Sequence, residues 1–274
     1  MSERSYAERS LLEARLEDAI LRSEKGIVSC LSFLTPRECR QAERALKQRG
    51  FWESAWLWGG YEGAERKSLF LLPEYLLVCL SGTVEEASSE ELAALLREQV
   101  EKEVRALRVV GSGFRNLSHR DYLGAILGLG LERDVLGDIA VQNSHEAVLF
   151  CTETIATFLT ENLNKVGSDT VRCRRYVVDE NFTDGRAYQP IRDTVASPRL
   201  DCVVAALTNL SREQAQSAIR SGLVEVEYEP ADRTDLTLEP PAVLSIRGHG
   251  RFILRSFDGE TRKGRLRLCA DKLI

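Results

Sequence analysis

Several features that mark particular classes of protein are missing from this sequence of 274 residues. Its longest apolar stretches, such as residues 69–80, are interrupted by Pro73 and Glu74 and fall short of the about 20 residues that a membrane helix needs. The first residues are charged rather than apolar, unlike a secretory signal. We therefore expect a cytoplasmic protein without a membrane partner.

Cysteine and histidine are too scattered to form a disulfide framework or a metal site. The seven cysteines include no Cys-x-x-Cys pair, and only three histidines are available to join them. In a cytoplasmic chain such cysteines are typically reduced and buried. We expect no metal and no cofactor.

A positive charge excess is also missing from the whole chain, whose net charge is −5, but the charge is unevenly distributed. From Thr170 to the end there are 17 Lys and Arg against 15 Asp and Glu, and from Arg247 to the end there are 8 against 3. The C-terminal part is therefore where an anionic partner is expected to bind.

The N-terminal part has the pattern of a small α/β domain, residues 1–82. Leu12, Leu16 and Ala19 recur at helical spacing. The sequence Thr35-Pro36-Arg37-Glu38 combines an N-cap, a proline at the first helical position and a capping-box Glu, and Gly50 ends this second helix. Two strands are predicted at residues 55–58 and 69–72, joined by a polar loop.

The middle part, residues 83–179, follows a linker at residues 81–89, and a capping box at Ser88 predicts a helix to about Glu103. The order β-α-β-β-α-β then predicts a ferredoxin-like fold, as in RNA-recognition-motif domains. Its strands are predicted at residues 104–110, 135–141, 147–152 and 170–178, and its helices at residues 120–129 and 154–166. Among the stacking aromatics of a standard RNA-recognition motif, the last strand offers only Tyr176.

The C-terminal part, residues 188–274, begins with a short strand at residues 192–196 and a helix that Ser197 and Pro198 are predicted to start. Its apolar stripe is formed by Leu200, Val203, Val204 and Leu207. A capping box at residues 211–214 opens a second helix, and Gly222 ends it. Strands follow at residues 223–228, 243–246, 251–257 and 264–270.

The two helices of this part present a pattern suited to phosphate. Arg199 is predicted in the first turn of one helix, and Arg212, Gln216 and Arg220 share one face of the other. Backbone N–H groups at a helix N-terminus and arginines that grip phosphate bidentately are the groups that bind such a ligand. Because Arg199 and Arg212 lie outside the apolar stripe, their replacement is expected to leave the fold intact. The last strands carry a ribbon of basic residues along which a polyanion could bind. Its members are Arg247, Arg251, Arg255, Arg262, Lys263, Arg265 and Arg267.

Three segments of this part resemble the S-four RNA-binding motif, named after a small-subunit ribosomal protein. They are Arg199-Leu200-Asp201, Leu210-Ser211-Arg212-Glu213-Gln214-Ala215 and Ile219-Arg220-Ser221-Gly222-Leu223-Val224-Glu225-Val226, and residues 245–252 resemble its closing strand. Glu227 and the turn at residues 240–243 depart from the motif, which affects the turn geometry more than the RNA face. The resemblance makes Arg199 and Arg212 the leading RNA contacts. The candidate RNA-binding residues are Arg199, Ser211, Arg212, Gln214, Gln216, Arg220, Arg247 and Arg251.

A wider resemblance is to the bacterial YlmH family. It rests on Gly59-Gly60-Tyr61-Glu62-Gly63-Ala64-Glu65-Arg66-Lys67, on Leu117-Ser118-His119-Arg120-Asp121-Tyr122-Leu123-Gly124, and on residues 129–133 and 137–139. It implies a three-part protein of α+β class that binds ribosomal RNA and tRNA on the large ribosomal subunit, in some relatives during rescue of stalled nascent chains. We expect a monomer that acts by binding, not an enzyme.

Other interpretations remain open. S-four-type domains are often appended to RNA-modifying enzymes, although the middle part is too short for a methyltransferase or pseudouridine synthase domain. The chain could instead be a protein-interaction scaffold. The triplet His119-Arg120-Asp121 resembles a kinase motif without its other signatures, and a capping box explains it. The loop at residues 59–67 is a hairpin connection or a second RNA contact through Gly60, Arg66 and Lys67.

Overall fold

The structure, a computed structural model, describes residues 3–81 and 86–274 of the backbone. The chain is of mixed α+β class, as predicted, and divides into two compact units, residues 1–185 and residues 186–274. The boundary predicted near Gly82 lies outside the described residues. The division into three domains stays a prediction.

The first unit begins with four α-helices and a three-stranded sheet, as far as the structure describes it. The elements are α1 (Glu3–Glu24), β1 (Ser29–Leu34), α2 (Pro36–Arg49), β2 (Ala55–Trp58), β3 (Lys67–Leu71), α3 (Glu74–Ser81) and α4 (Glu86–Glu103). The sheet order is β1-β3-β2, and all pairs are antiparallel. The capping box of α2 and its left-handed C-cap at Gly50 are confirmed. Strand β1 and helix α3 were not predicted, and α4 begins at Glu86, so the N-cap predicted at Ser88 is wrong.

The rest of the first unit forms a five-stranded sheet with two helices. The elements are β4 (Arg105–Gly111), α5 (His119–Gly128), β5 (Leu136–Asn143), β6 (Glu146–Cys151), α6 (Glu153–Asn162), β7 (Lys165–Val166) and β8 (Asp169–Tyr176). The sheet order is β5-β6-β4-β8-β7, with antiparallel pairs throughout. Helix α6 ends earlier than predicted because residues 165–166 pair with β8, and Gly167 lies in their turn rather than at a helix end.

The first unit is layered, because its sheets have two apolar faces each. Along β3, Leu69 and Leu71 pack against α1 and α2, while Phe70 packs toward the five-stranded sheet. Residues Ala106, Val148 and Phe150 of the larger sheet join Phe70 in that shared core. The opposite face of the larger sheet packs against α5 and α6 through residues such as Leu107, Leu149, Tyr122 and Leu159.

The second unit is a six-stranded antiparallel sheet with two helices. The elements are β9 (Tyr188–Val195), α7 (Leu200–Thr208), α8 (Arg212–Arg220), β10 (Val224–Val226), β11 (Glu229–Pro230), β12 (Ala242–Ile246), β13 (Gly250–Glu260) and β14 (Leu266–Leu273). The sheet order is β11-β10-β12-β13-β14-β9. The predicted stripe of α7 is confirmed, since Leu200, Val203 and Val204 are fully buried against Phe252 and Leu254 of the sheet.

The start of α7 differs from the prediction. Arg199 is its N-cap residue and has extended backbone angles, so Ser197 and Pro198 precede the helix. The reason is tertiary pairing, because the Pro198 carbonyl accepts a bond of 2.8 Å from the Leu238 N–H. Arg199 also forms a β-bridge with Thr237. This pairing holds the chain extended for two residues longer than the local sequence suggests.

Candidate nucleic-acid interface

A buried carboxylate, Asp201, lies at the centre of the predicted phosphate site. Its side chain is 0% exposed, although it stands in the first turn of α7. Its Oδ1 accepts a bond of 3.1 Å from Arg199 Nε, and its Oδ2 accepts 3.0 Å from Arg212 Nε and 2.7 Å from Gln216 Nε2. The structure therefore brings together three of the predicted residues around an acid that was not predicted.

The two arginines of this group, which we call the Asp201 cluster, remain open to solvent. The Arg199 side chain is 37% exposed and the Arg212 side chain is 56% exposed. The carboxylate accepts hydrogen bonds from Nε of both guanidinium groups and from Nη2 of Arg199. Each guanidinium has five N–H donors in all, so further donors remain on both. The cluster thus fixes the orientation of both forks and leaves donors for an external anion. With two arginines and one carboxylate, its charge is +1.

The ionisation of Asp201 follows from these contacts. Burial by itself would raise the pKa of this carboxyl, since it disfavours the charged form. Hydrogen bonds from Arg199, Gln216 and Arg212 outweigh burial and hold the pKa well below its usual range. Asp201 is therefore an anion at neutral pH and can form ion pairs with both arginines.

The backbone N–H groups at the start of α7 are not available for phosphate, contrary to the prediction. The Leu200 N–H donates to the Leu236 carbonyl at 2.8 Å, and the Asp201 N–H donates to the Thr234 carbonyl at 3.1 Å. Any anion at this place is therefore bound by side chains. Arginine forks alone give a geometry that matches two phosphate oxygens.

At the start of α8, Ser211 and Gln214 bind each other in the predicted capping box. The Ser211 N–H donates to Gln214 Oε1 at 2.9 Å, and the Gln214 N–H donates to Ser211 Oγ at 3.2 Å. Both residues are exposed. Their observed role is to orient α8, and through it Arg212 and Gln216.

The remaining predicted residues extend the surface beyond the far end of α8. Arg220 is exposed in the last turn of α8, and the N–H of exposed Arg247 donates to the Leu223 carbonyl at 2.9 Å, just after that helix ends. Arg251 lies over the ring of Tyr228, with 5.5 Å from its guanidinium carbon to the ring centroid. Glu227, where the sequence departs from the S-four motif, and its neighbour Tyr228 both have positive φ in the turn between β10 and β11.

The basic ribbon of the last strands is partly occupied by contacts within the unit. Arg255 Nε donates to Asp271 Oδ2 at 2.7 Å, and Arg265 Nε donates to Thr194 Oγ1 at 3.0 Å. Arg262, Lys263 and Arg267 are exposed. The ribbon therefore supplies diffuse positive charge rather than a defined pocket.

The loop at residues 59–67 is a structural element, and Arg66 is not a surface contact. Arg66 is buried at 8% exposure, and its guanidinium donates to the carbonyls of Leu136, Phe33 and Arg133 at 2.8, 2.6 and 3.1 Å. Lys67 is half-buried at the start of β3. A Cβ on Gly60 would lie 2.3 Å from the Phe150 ring, so this glycine is required for packing. These positions give no support to a second RNA contact here.

The role of Asp201 was not predicted, since the phosphate site was inferred from its cationic residues alone. The available signal was a lone acid in the otherwise apolar run Leu200-Asp201-Cys202-Val203-Val204, followed by Arg212 and Gln216 on the next helix. Burial of such an acid requires partners. The structure also changes the expectation that Arg199 and Arg212 can be replaced without effect on the fold, since each is a partner of this carboxylate.

A comparison with known proteins finds a family match in the middle of the chain. Residues 97–180 match the family model described as "Putative RNA-binding domain in YlmH". This segment is similar to the RNA-binding domain of the YlmH family. The chain is also 29% identical over 267 residues to the "Ribosome-associated protein quality control protein P2" of Bacillus subtilis (strain 168), covering 97% of this chain and 95% of that protein. The segment from α4 to β8 is thus the part of the chain that the family model covers.

A solved structure, "Cell division protein ylmH from Streptococcus pneumoniae", is similar in part. It aligns with a TM-score of 0.46 and 19% identity, covering 62% of this chain and 91% of that chain. Among the described residues, no group of three His, Cys, Asp or Glu side chains is placed to hold a metal ion. Within the same residues, no helix is long and apolar enough to cross a membrane.

Proposed function

We propose that residues 186–274 form an S-four-type RNA-binding domain and that the Asp201 cluster is its principal phosphate contact. The observation that carries the proposal is the pair of exposed arginines held by one buried carboxylate. Fixing two forks in advance lowers the entropy cost of binding. The charge surplus after Arg247 supports the same surface, because it attracts a polyanion over a longer range.

The proposal extends to the whole chain. We infer that it binds structured ribosomal RNA and tRNA on the large ribosomal subunit and takes part in the rescue of stalled nascent chains. Support comes from the RNA-binding domain match at residues 97–180 and from the quality control relative, which aligns over 97% of this chain. The middle part is proposed to have an RNA-recognition-motif-like architecture, since its strands lie in the order β8-β4-β6-β5. The protein is proposed to act by binding, without chemistry.

The test compares single variants of the full chain for binding to ribosomal RNA and for co-sedimentation with the large subunit. Arg199→Gln and Arg212→Gln should each lower affinity on the order of 10- to 100-fold, the range of a charge-assisted bidentate contact. Lys at either position should restore only part of the affinity, because it keeps the charge but loses the planar fork. Binding should weaken steeply with salt, and each variant should reduce the slope by about 0.7 to 0.9.

Arg49→Gln is the matched control. Arg49 is exposed to a similar extent, 34%, and is likewise bonded to a carboxylate, Glu17, at 3.1 Å, but it lies in α2 of the first unit. Its replacement should leave RNA affinity unchanged. If Arg199→Gln and Arg212→Gln are folded by circular dichroism and bind RNA as tightly as the parent at every salt concentration, the assignment of this surface is wrong.

A further inference from the structure

The five-stranded sheet β5-β6-β4-β8-β7 has one face that is covered at one end and exposed at the other. Its strands alternate, so that residues 106, 108 and 110 of β4 and residues 172, 174 and 176 of β8 point away from α5 and α6. At one end, Ala106 and Phe150 are buried beneath residues such as Phe33 and Phe70 of the small sheet. Tyr176 packs there against Phe182, with 6.4 Å between ring centroids. The aromatic that could have stacked on RNA in the standard manner is therefore partly buried against the core.

The other end of this face is open and basic. Arg108 stands opposite Arg174 in the pairing of β4 with β8, and Val110 stands opposite Arg172. All three arginines are exposed. Arg108 Nε donates to Glu146 Oε1 at 2.6 Å, but within the part of the chain that the structure describes neither Arg172 nor Arg174 forms an ion pair. Two positive charges are thus uncompensated at this end.

An exposed aromatic lies at the same end of the sheet. Phe114 follows β4 by three residues and is 93% exposed, which leaves a large apolar ring in water. Three residues lie between Phe114 and Val110, so their backbones are within about 14 Å of each other, and Val110 stands opposite Arg172. Phe114 also lies inside the segment that matches the RNA-binding domain.

The loop that carries Phe114 is held at both sides. Asp169 of β8 accepts bonds from the N–H and hydroxyl of Ser112, and the Leu117 N–H donates to the Ser144 carbonyl at 2.6 Å. Arg115 Nη1 donates to Ser168 Oγ in the turn before β8. Asp169 is buried at 5% exposure, so this anchor is part of the fold. The ring is therefore presented by a braced loop rather than by a free one.

We propose that this surface binds a single-stranded segment of RNA, with an unpaired base stacked on Phe114 and the adjoining phosphates bound by Arg172 and Arg174. Charge complementarity favours a polyanion, and an exposed ring requires a base that is not already stacked within a duplex. A protein partner would be expected to meet an apolar patch, whereas Phe114 is followed in the chain by Arg115 and lies at the end of the sheet that carries Arg172 and Arg174. The proposal concerns the first unit and does not depend on the Asp201 cluster.

The test uses the full chain and a fluorescein-labelled single-stranded oligonucleotide of mixed sequence, with a hairpin duplex of the same length for comparison. Phe114→Ala should weaken binding of the single strand about 5- to 150-fold, the loss expected for one base stacked on an aromatic ring. Phe114→Trp should retain binding, and Phe114→Leu should not restore it, because an aliphatic side chain is apolar but does not stack. The double variant Arg172→Gln, Arg174→Gln should lower both the affinity and its salt slope.

Val177→Ala is the control for loss of an exposed apolar side chain, since Val177 is 89% exposed on the same unit just after β8. Arg212→Gln separates this proposal from the proposed function, because it should weaken binding of structured ribosomal RNA and leave single-strand binding by Phe114 in place. Photocrosslinking with 4-thiouridine in the oligonucleotide should label the peptide that contains Phe114. If Phe114→Ala and the double arginine variant bind the single strand as the parent does, or if crosslinks fall elsewhere, the proposal is wrong.

Discussion

At the scale of single residues, Asp201 shows how a buried acid can serve a cationic surface. Two charged side chains that point toward solvent repel each other and move freely unless something holds them. The buried Asp201 carboxylate restricts both arginines, because it accepts hydrogen bonds from Arg199, Arg212 and Gln216. Because its side chain has no exposure of its own, its contribution to the proposed RNA binding is positional. It is a positioning residue for the two arginines.

The Asp201 carboxylate should also contribute to stability in a pH-dependent way. Its folded pKa lies below the unfolded value of about 3.9, so its contribution is present above that pH and is lost as the pH falls through the folded pKa. Asp201→Asn should lower the free energy of unfolding at pH 7 by about 1 to 3 kcal/mol, less than for a fully buried pair because both arginines keep water contact. Urea unfolding of parent and variant from pH 7 to pH 2.5 measures the difference.

The difference between parent and Asp201→Asn should shrink as the solution is made acidic. Asp232→Asn, at an exposed position of the same unit, is the control and should have little effect at any pH. A difference that stays constant down to pH 2.5 would show that the charge of Asp201 is not what stabilises the cluster.

At the scale of elements, three capping boxes were predictable from the sequence, although the N-cap predicted at Ser88 was wrong, and the helix limits set by strand pairing were not predictable. The capping boxes at Thr35, Ser118 and Ser211 form as the sequence indicates, because each is completed within four residues. The start of α7 and the end of α6 were misplaced, because strand pairing with distant or following segments takes over the backbone there. The loop at residues 59–66 is a similar case, since the Asp138 carboxylate accepts from Tyr61 Oη and the Glu65 N–H at 2.8 and 2.7 Å.

This loop offers a matched pair of substitutions. Gly60→Ala places a methyl group 2.3 Å from the Phe150 ring at a φ of +102°, whereas Gly63→Ala has a φ of +84° and meets nothing within 4 Å. Gly63→Ala should cost about 1 kcal/mol from backbone strain alone. Gly60→Ala should cost about 2 to 4 kcal/mol, because strain and overpacking act together. Thermal and urea unfolding of both variants would check the order, and equal losses would contradict the packing role of Gly60.

At the scale of the whole molecule, the apolar cores divide with the two units. The core of the second unit draws its residues from Ile191 to Ala270, and the three cores of the first unit draw theirs from Leu12 to Phe182. The division coincides with the polar stretch that ends at Gly185. Each unit therefore contains its own source of hydrophobic stabilisation.

The second unit should accordingly fold by itself. A fragment of residues 186–274 retains all six strands of its sheet and both helices, so it should give a cooperative urea transition and a circular dichroism spectrum with helix and strand content. The fragment should also keep the effect of Arg212→Gln on binding of ribosomal RNA, but it should lack the single-strand binding assigned to Phe114. A fragment that unfolds without cooperativity would show that the second unit needs the first.

The sequence by itself determined the α+β fold class, the order of most elements, the capping boxes at Thr35, Ser118 and Ser211, and the basic residues of the second unit. Those features depend on neighbours a few positions apart, where periodicity and capping chemistry act. Only the tertiary structure decided that Arg66 is buried, that Asp201 binds Arg199 and Arg212, and that Tyr176 is partly buried while Phe114 is exposed. The reason is physical: burial and ion pairing depend on which distant segments meet, and neither periodicity nor composition encodes that meeting.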